Sequence, residues 1–173
     1  MKGYLFDTCA VSSLLNPAHP DHAAATAAAA NLPDDALQFV SIVTIAEMEF
    51  GLRMAEHANS LHLAQFRARI ESMKRTYRVL DLTKHTASAY AELKARLAAT
   101  AQRKANSQKP SRWLEDWIDA NTGKRLQIDE NDLWVAAQAK ERDFTLISGD
   151  ADMLRLSAVD PMLRVILARN ESA

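Results

Sequence analysis

Four acidic residues follow short apolar runs or begin stretches with helical periodicity: Asp7, Glu47, Asp132 and Asp150. Carboxylates gathered in one place repel one another and raise each other's pKa unless a cation lies between them. Mg²⁺ is a hard cation that prefers oxygen ligands and keeps several waters in its coordination shell. A metal held in this way lowers the pKa of a bound water and stabilises charge on phosphoryl oxygens. The pattern therefore predicts a divalent-metal site suited to phosphodiester hydrolysis.

Each acid taken alone also has a structural explanation. Asp7 precedes a helical stretch and can cap it. Thr44 and Glu47 match the Ser/Thr-x-x-Glu capping box, in which the glutamate only reaches back to a backbone N–H. Asp132 lies in the first turn of a predicted helix, where a negative charge is favourable, and Asp150 follows a glycine in a turn-like sequence. The metal-site hypothesis rests on the four positions together.

The elements that must position these acids alternate between strands and helices. We predict strands at residues 4–6, 37–42, 144–147 and 163–167, and a short strand or extended connection at 77–82. Predicted helices span residues 8–15, 19–30, 44–59, 60–75, 83–104 and 131–142. This alternation predicts an α/β fold with a mainly parallel sheet. Sites in such sheets lie at the carboxyl ends of strands, where Asp7 and Asp150 both fall.

The composition is that of a globular domain and excludes several other kinds of site. The 173 residues are 48% hydrophobic and 25% charged, which suits one domain. The only cysteine is Cys9, so a disulfide framework is excluded and a reducing compartment is indicated. The four glycines are too scattered for a phosphate-binding loop, and the five histidines lack metal-binding spacing. With neither a signal peptide nor a stretch of about 20 apolar residues, we expect a soluble, cytoplasmic protein without membrane contact.

The net charge of −1 conceals a marked division along the chain. Residues 61–112 contain 12 Lys and Arg against 3 Asp and Glu, whereas the remainder contains 9 basic and 19 acidic residues. A basic middle with acidic flanks suits a protein that meets phosphates on one surface and binds cations on another. Solvated helix faces explain the same asymmetry equally well.

The four acids occur within four ordered motifs, at residues 5–8, 44–51, 131–137 and 145–153. These read Leu-Phe-Asp-Thr, Thr-Ile-Ala-Glu-Met-Glu-Phe-Gly, Asn-Asp-Leu-Trp-Val-Ala-Ala and Thr-Leu-Ile-Ser-Gly-Asp-Ala-Asp-Met. In this order they resemble the motifs of PIN domains, especially those of VapC-like toxins. The resemblance extends over residues 4–167 and places Glu47, not Glu49, among the site acids.

The resemblance implies a three-layer fold, with a mainly parallel sheet flanked by helices, as one domain over residues 1–173. It also implies an endoribonuclease that uses Mg²⁺ or Mn²⁺ and an RNA substrate, and a homodimer whose active sites a cognate antitoxin can block. Asp7, Glu47, Asp132 and Asp150 become the expected catalytic and metal-binding residues. Asp152 is a further candidate ligand. The hydroxyls of Thr8 and Ser148 are expected to orient the carboxylates.

The chain departs from shorter PIN domains in a segment at about residues 105–128. Lys109, Arg112 and Trp113 are candidate RNA-binding residues there, with the indole stacking on a base and the cations reaching phosphates. The competing interpretation is that Trp113 and Trp117, four residues apart, pack a short helix against the body of the domain.

Two other functions remain open from sequence. A catalytically silent RNA- or protein-binding module could keep the acids for structure alone, although mutually repelling carboxylates are unnecessary for binding. A phosphotransfer enzyme of the haloacid-dehalogenase type is the other alternative. That type needs Asp-x-Asp at the first strand, and Asp7-Thr8-Cys9 lacks the second aspartate.

Overall fold

The computed structural model describes residues 2–103 and 110–170, and its centre is a five-stranded parallel sheet. The strands are β1 (Gly3–Phe6), β2 (Leu37–Ser41), β3 (Arg78–Leu80), β4 (Thr145–Ser148) and β5 (Arg164–Leu167). Their spatial order is β3-β2-β1-β4-β5. Because β1 pairs with both β2 and β4, the first strand lies in the middle of the sheet and is fully buried.

Helices cover both faces of the sheet, which confirms the predicted three-layer α/β fold. They are α1 (Thr8–Leu14), α2 (His22–Ala30), α3 (Ile42–His57), α4 (Leu63–Thr76), α5 (Lys84–Thr100), α6 (Glu130–Glu141) and α7 (Met153–Val159). A 3-10 helix at Leu114–Asp116 lies between α5 and α6. None of the helices in the described residues is long and apolar enough to cross a membrane.

The alternation of side chains along β1 divides the core into two clusters. Leu5 packs on one face with residues of α5, α6 and α7. Tyr4 and Phe6 pack on the other face with residues of α1, α2, α3 and α4. Since successive side chains of a strand point to opposite faces, one short strand anchors both helical layers.

Several helix bounds differ from the sequence prediction by a few residues, and the differences at α3 and α7 have a clear physical reason. Helix α3 begins at Ile42 instead of residue 44, because the Ser41 hydroxyl accepts a hydrogen bond from the Val43 N–H (2.9 Å) and caps the helix there. Helix α7 was not predicted at all. It has only seven residues, too few for a clear helical period, and its N-cap residue, Asp152, makes no capping hydrogen bond.

Candidate active site

The four predicted acids line a single cavity of about 480 Å³. Asp7 directly follows β1 and Asp150 lies two residues beyond β4, while Glu47 and Asp132 come from α3 and α6. Since β1 and β4 are adjacent and parallel, their carboxyl ends lie at the same edge of the sheet. The remaining lining residues are Thr8, Cys9, Glu115, Arg125, Gln127, Ile128, Asp129 and Val135.

Asp7 both caps a helix and lines the cavity. Its Oδ1 accepts a hydrogen bond from the Ala10 N–H (2.7 Å), which caps α1. Its Oδ2 accepts a hydrogen bond from the Ser148 hydroxyl. The residue is only 4% exposed, and this burial raises the pKa of its carboxyl to about 6 despite these hydrogen bonds.

Glu47 is held by two neutral donors. The Thr8 hydroxyl donates to its Oε2, and the Asn131 side-chain amide donates to its Oε1 at 2.9 Å. The capping-box interpretation of Thr44 and Glu47 is wrong, because Ser41 caps α3 and places Glu47 in the second turn. The role of Asn131 was missed from sequence, where only its neighbour Asp132 drew attention.

Asp132 belongs to a reciprocal capping box at the start of α6. Its Oδ2 accepts a hydrogen bond from the Asp129 N–H (3.1 Å), and its own N–H donates to Asp129 Oδ1 (2.8 Å). Burial raises the pKa of Asp132 to about 7, and the charges of Asp129, Asp150 and Asp7 contribute to the rise.

The turn after β4 brings Asp150 against the start of α1. The Asp150 N–H donates to the Ser148 hydroxyl (2.9 Å), and Asp150 Oδ1 accepts from the Asp152 N–H (2.8 Å). Gly149 sits so close to α1 that an added Cβ would lie 3.0 Å from the Cys9 Cβ. Ser148 therefore touches both Asp7 and Asp150 and links the two strand ends.

The donor set fits a hard divalent cation in chemistry, although the acids are not gathered tightly around one point. No group of three or more His, Cys, Asp or Glu in residues 2–103 and 110–170 is close enough to hold an ion as it stands. The side chains are instead turned toward protein donors such as Thr8, Ser148 and the Asp129 N–H. All four offer carboxylate oxygens, the ligand type that Mg²⁺ and Mn²⁺ prefer.

Other predicted site residues lie away from the cavity. The Asp152 carboxylate accepts a hydrogen bond from Arg155 Nε at 2.9 Å, and Asp152 does not line the cavity. Arg112 and Trp113 are exposed, with the guanidinium 4.9 Å from the indole ring centroid, and neither lines the cavity. Lys109 lies outside the described residues. Trp113 and Trp117 were both expected to pack against the body of the domain, and only Trp117 is buried.

Many cations of the basic middle region are paired with acids of the same chain. Arg67 and Lys74 on α4 bind Glu56 and Glu49 on α3, both at 2.7 Å. Arg96 binds Glu92 on its own helix at 2.5 Å. Some of the basic residues are therefore used in ion pairs within the domain.

Several cavity residues carried no signal in the sequence. Glu115, Arg125 and Gln127 come from the segment before α6, where no motif predicts an approach to the acids. Asp129 lies just before the motif at residues 131–137, and it is the N-cap of α6 as well as a lining residue. Only its three-residue spacing from Asp132, typical of a reciprocal cap, could have indicated their contact.

This fold and site define a class of protein. It is a parallel α/β domain with a carboxylate-lined cavity at the carboxyl edge of its sheet. The family profile of the PIN domain matches residues 4–159, and the chain belongs to this family. Comparison with curated protein sequences gives no match.

Solved toxin–antitoxin structures share the fold. The VapBC2 complex of Rickettsia felis, bound to a promoter DNA fragment, has a TM-score of 0.65 and 18% identity, covering 95% of this chain and 98% of that chain. VapBC-5 of Mycobacterium tuberculosis has a TM-score of 0.59 and 26% identity, covering 98% and 100%. VapC20 of Mycobacterium tuberculosis, a toxin that cleaves the sarcin–ricin loop, has a TM-score of 0.53 and 13% identity, covering 91% and 95%.

Proposed function

We propose that the chain is a metal-dependent endoribonuclease that hydrolyses RNA phosphodiester bonds. The observation that carries the proposal is the convergence of Asp7, Glu47, Asp132 and Asp150 on one cavity from four separate parts of the chain. Membership of the PIN domain family supports it. The fold similarity to VapC20, a toxin that cleaves the sarcin–ricin loop, points in the same direction.

In this proposal the four carboxylates hold one or two Mg²⁺ or Mn²⁺ ions. Bound there, the metal supplies positive charge to the phosphodiester and makes a water more acidic. Ser148 keeps Asp7 in place by donating to its Oδ2, and Thr8 and Asn131 fix both oxygens of Glu47. Because Asp7 is buried, little water reaches its carboxyl group, and this strengthens the interaction of the carboxylate with a cation.

We further propose that the chain is the toxin of a toxin–antitoxin pair, that it forms a homodimer and that a cognate antitoxin chain inhibits it. The fold similarity to solved VapBC complexes supports this role. Expression of the chain alone should arrest bacterial growth, whereas expression of Asp7→Asn should not. Light scattering of the purified chain should give twice the 19.2 kDa monomer mass.

The central experiment is cleavage of total cellular RNA by the purified chain with Mg²⁺, Mn²⁺ or EDTA. We expect discrete products that require metal. Asp7→Asn should slow cleavage by about 100-fold or more, the scale at which catalytic groups of this kind contribute. Asp34→Asn, which neutralises an exposed loop carboxylate, is the matched control and should cleave as fast as the parent chain.

Equal cleavage by Asp7→Asn and the parent chain would refute the site assignment. Metal-dependent thermal stabilisation without cleavage of any RNA would instead favour a silent binding module. Release of inorganic phosphate from small phosphomonoesters would favour a phosphotransfer enzyme.

A further inference from the structure

Part of the cavity lining comes from residues 110–128, the segment that precedes α6. Glu115, Arg125, Gln127 and Ile128 of this segment line the same cavity as the four acids. The segment therefore contributes directly to the surface that a substrate meets. The proposed nuclease function does not yet assign a role to it.

This segment is folded into the body of the domain. Leu114, Trp117 and Leu126 are at most 4% exposed and belong to the core cluster that contains α5 and α6. The Trp117 indole N–H donates to the Ser111 carbonyl at 2.7 Å, and the Leu126 N–H donates to the Trp117 carbonyl at 2.9 Å. The backbone at these anchors is consequently held against the body of the domain.

A tight hairpin sets the position of Arg125. The Asp119 N–H donates to the Lys124 carbonyl at 2.8 Å, and Ile118 and Arg125 form an antiparallel bridge. Gly123 provides the left-handed residue of the turn, with φ of 68°. Buried Leu126 follows Arg125 directly, so the arginine is exposed at the cavity while its neighbour is fixed in the core.

The charge balance of the cavity gives Arg125 a distinctive place. Six carboxylates line the cavity: Asp7, Glu47, Glu115, Asp129, Asp132 and Asp150. Arg125 is the only basic residue in the described lining, and within the described chain its side chain makes no ion pair or hydrogen bond. Its guanidinium is thus available to an external anion, although six carboxylates line the same cavity.

A polyanionic strand needs such a cation to approach the site. Two divalent ions would offset only four of the six negative charges, so the cavity would still repel phosphate. Arginine presents a planar fork of donors that matches the oxygens of a phosphate group. A rim arginine can therefore bind a phosphate of the substrate other than the one being cleaved.

We infer that Arg125 is a substrate-binding residue that holds a backbone phosphate of a single-stranded nucleic acid beside the acidic site. This inference rests on the proposed function for the identity of the substrate. It predicts an effect on substrate affinity that does not depend on the chemical step. Each phosphate contact releases counterions from the nucleic acid, so the loss of one contact must also change the salt dependence of binding.

The test measures binding and cleavage separately. Binding of a fluorescein-labelled, mixed-sequence single-stranded RNA is measured by anisotropy across a range of salt concentrations in an Asp7→Asn background with Mg²⁺. Arg125→Ala should weaken binding about tenfold and flatten the salt dependence by close to one phosphate contact. Arg125→Lys should recover part of the affinity, since it restores the charge without the fork.

Lys124→Ala provides a matched control, because Lys124 is exposed on the same hairpin but does not line the cavity. Its affinity should stay within twofold of the parent. In the cleavage-competent chain, Arg125→Ala should raise KM and leave kcat nearly unchanged. Equal losses of affinity for the two alanine variants, or no loss for Arg125→Ala, would overturn the inference.

The two proposals fail in different ways. If the parent chain cleaves RNA and Arg125→Ala changes neither binding nor KM, the nuclease function stands and the role of Arg125 is refuted. If no RNA is cleaved but the difference between Arg125→Ala and Lys124→Ala persists, the nucleic-acid subsite stands and the nuclease function is refuted.

Discussion

The four site acids are oriented by neutral donors. Thr8, Asn131 and Ser148 hold Glu47 and Asp7, and none of the four acids forms an ion pair within the described chain. Acids elsewhere, such as Glu49 and Glu56, are paired with lysine or arginine. Since hydroxyl and amide donors fix a carboxylate without cancelling its charge, the site keeps its negative charge for a cation.

Burial of Asp7 and Asp132 makes the metal-free protein sensitive to pH. The pKa of Asp7 is raised to about 6 and that of Asp132 to about 7, from an ordinary value of 3.8. The folded chain therefore binds these protons more tightly than the unfolded chain. Stability from the protonated carboxyls is present at pH below about 4 and is lost as the pH rises through 6 and 7.

We expect urea unfolding in EDTA to show a falling free energy of unfolding between pH 5 and pH 8. Asp7→Asn should reduce this fall by roughly 1.4 kcal/mol, because the buried amide carries no charge at any pH. Saturating Mg²⁺ should also reduce it by replacing the protons. The prediction fails if the Asp7→Asn and Asp34→Asn variants show the same pH dependence.

The turn between β4 and α7 packs closely against the start of α1, and this contact positions part of the site. Gly149 leaves no room for a side chain, since an added Cβ would lie 3.0 Å from the Cys9 Cβ and 3.3 Å from the Cys9 carbonyl carbon. The close approach keeps Asp150 and Ser148 near Asp7. The distance between Asp7 and Asp150 thus depends on the absence of a Cβ at Gly149.

Gly149→Ala should displace this turn by a few tenths of an ångström and lower stability by about 1 kcal/mol. The displacement should also weaken Mg²⁺ binding, measured by the metal-dependent rise in Tm.

Gly51→Ala is the matched control, because nothing lies within 4 Å of an added Cβ at this helical position. It should raise stability by about 0.5–1 kcal/mol through helix propensity and leave metal binding unchanged. Unaltered metal binding in Gly149→Ala would contradict this account.

At the scale of the whole molecule, the sequence predicts the strands and the positions of Asp7 and Asp150 at strand ends well, because these depend on local patterns. Apolar runs such as Tyr4-Leu5-Phe6 indicate buried strands, and the parallel arrangement brings their carboxyl ends together. The partners of Glu47 and the approach of Arg125 depend on contacts between distant parts of the chain. Asn131 lies 84 residues from Glu47, and no periodicity carries that information.

The two tryptophans of the 110–128 segment test how far it belongs to the core. Trp117 is 4% exposed and hydrogen-bonded, whereas Trp113 is 58% exposed. Trp117→Ala should lower the free energy of unfolding by about 3 kcal/mol or more, and Trp113→Ala by about 0.5 kcal/mol or less. Urea denaturation of both variants measures the difference. Similar losses for the two would show that the segment does not pack as described.

At the end of this segment, buried residues that belong to the core alternate with exposed residues that line the cavity. Leu126 and Ile128 are 1% exposed and serve the core, whereas Arg125 and Gln127 between and beside them face the cavity. Replacement of Arg125 leaves these core contacts in place, whereas Gln127 has a left-handed backbone conformation (φ 57°) that many side chains adopt only with strain. On the proposed role of Arg125, affinity for nucleic acid and stability against heat can therefore change independently of one another, and a library randomised at position 125 alone would sample the first without the second.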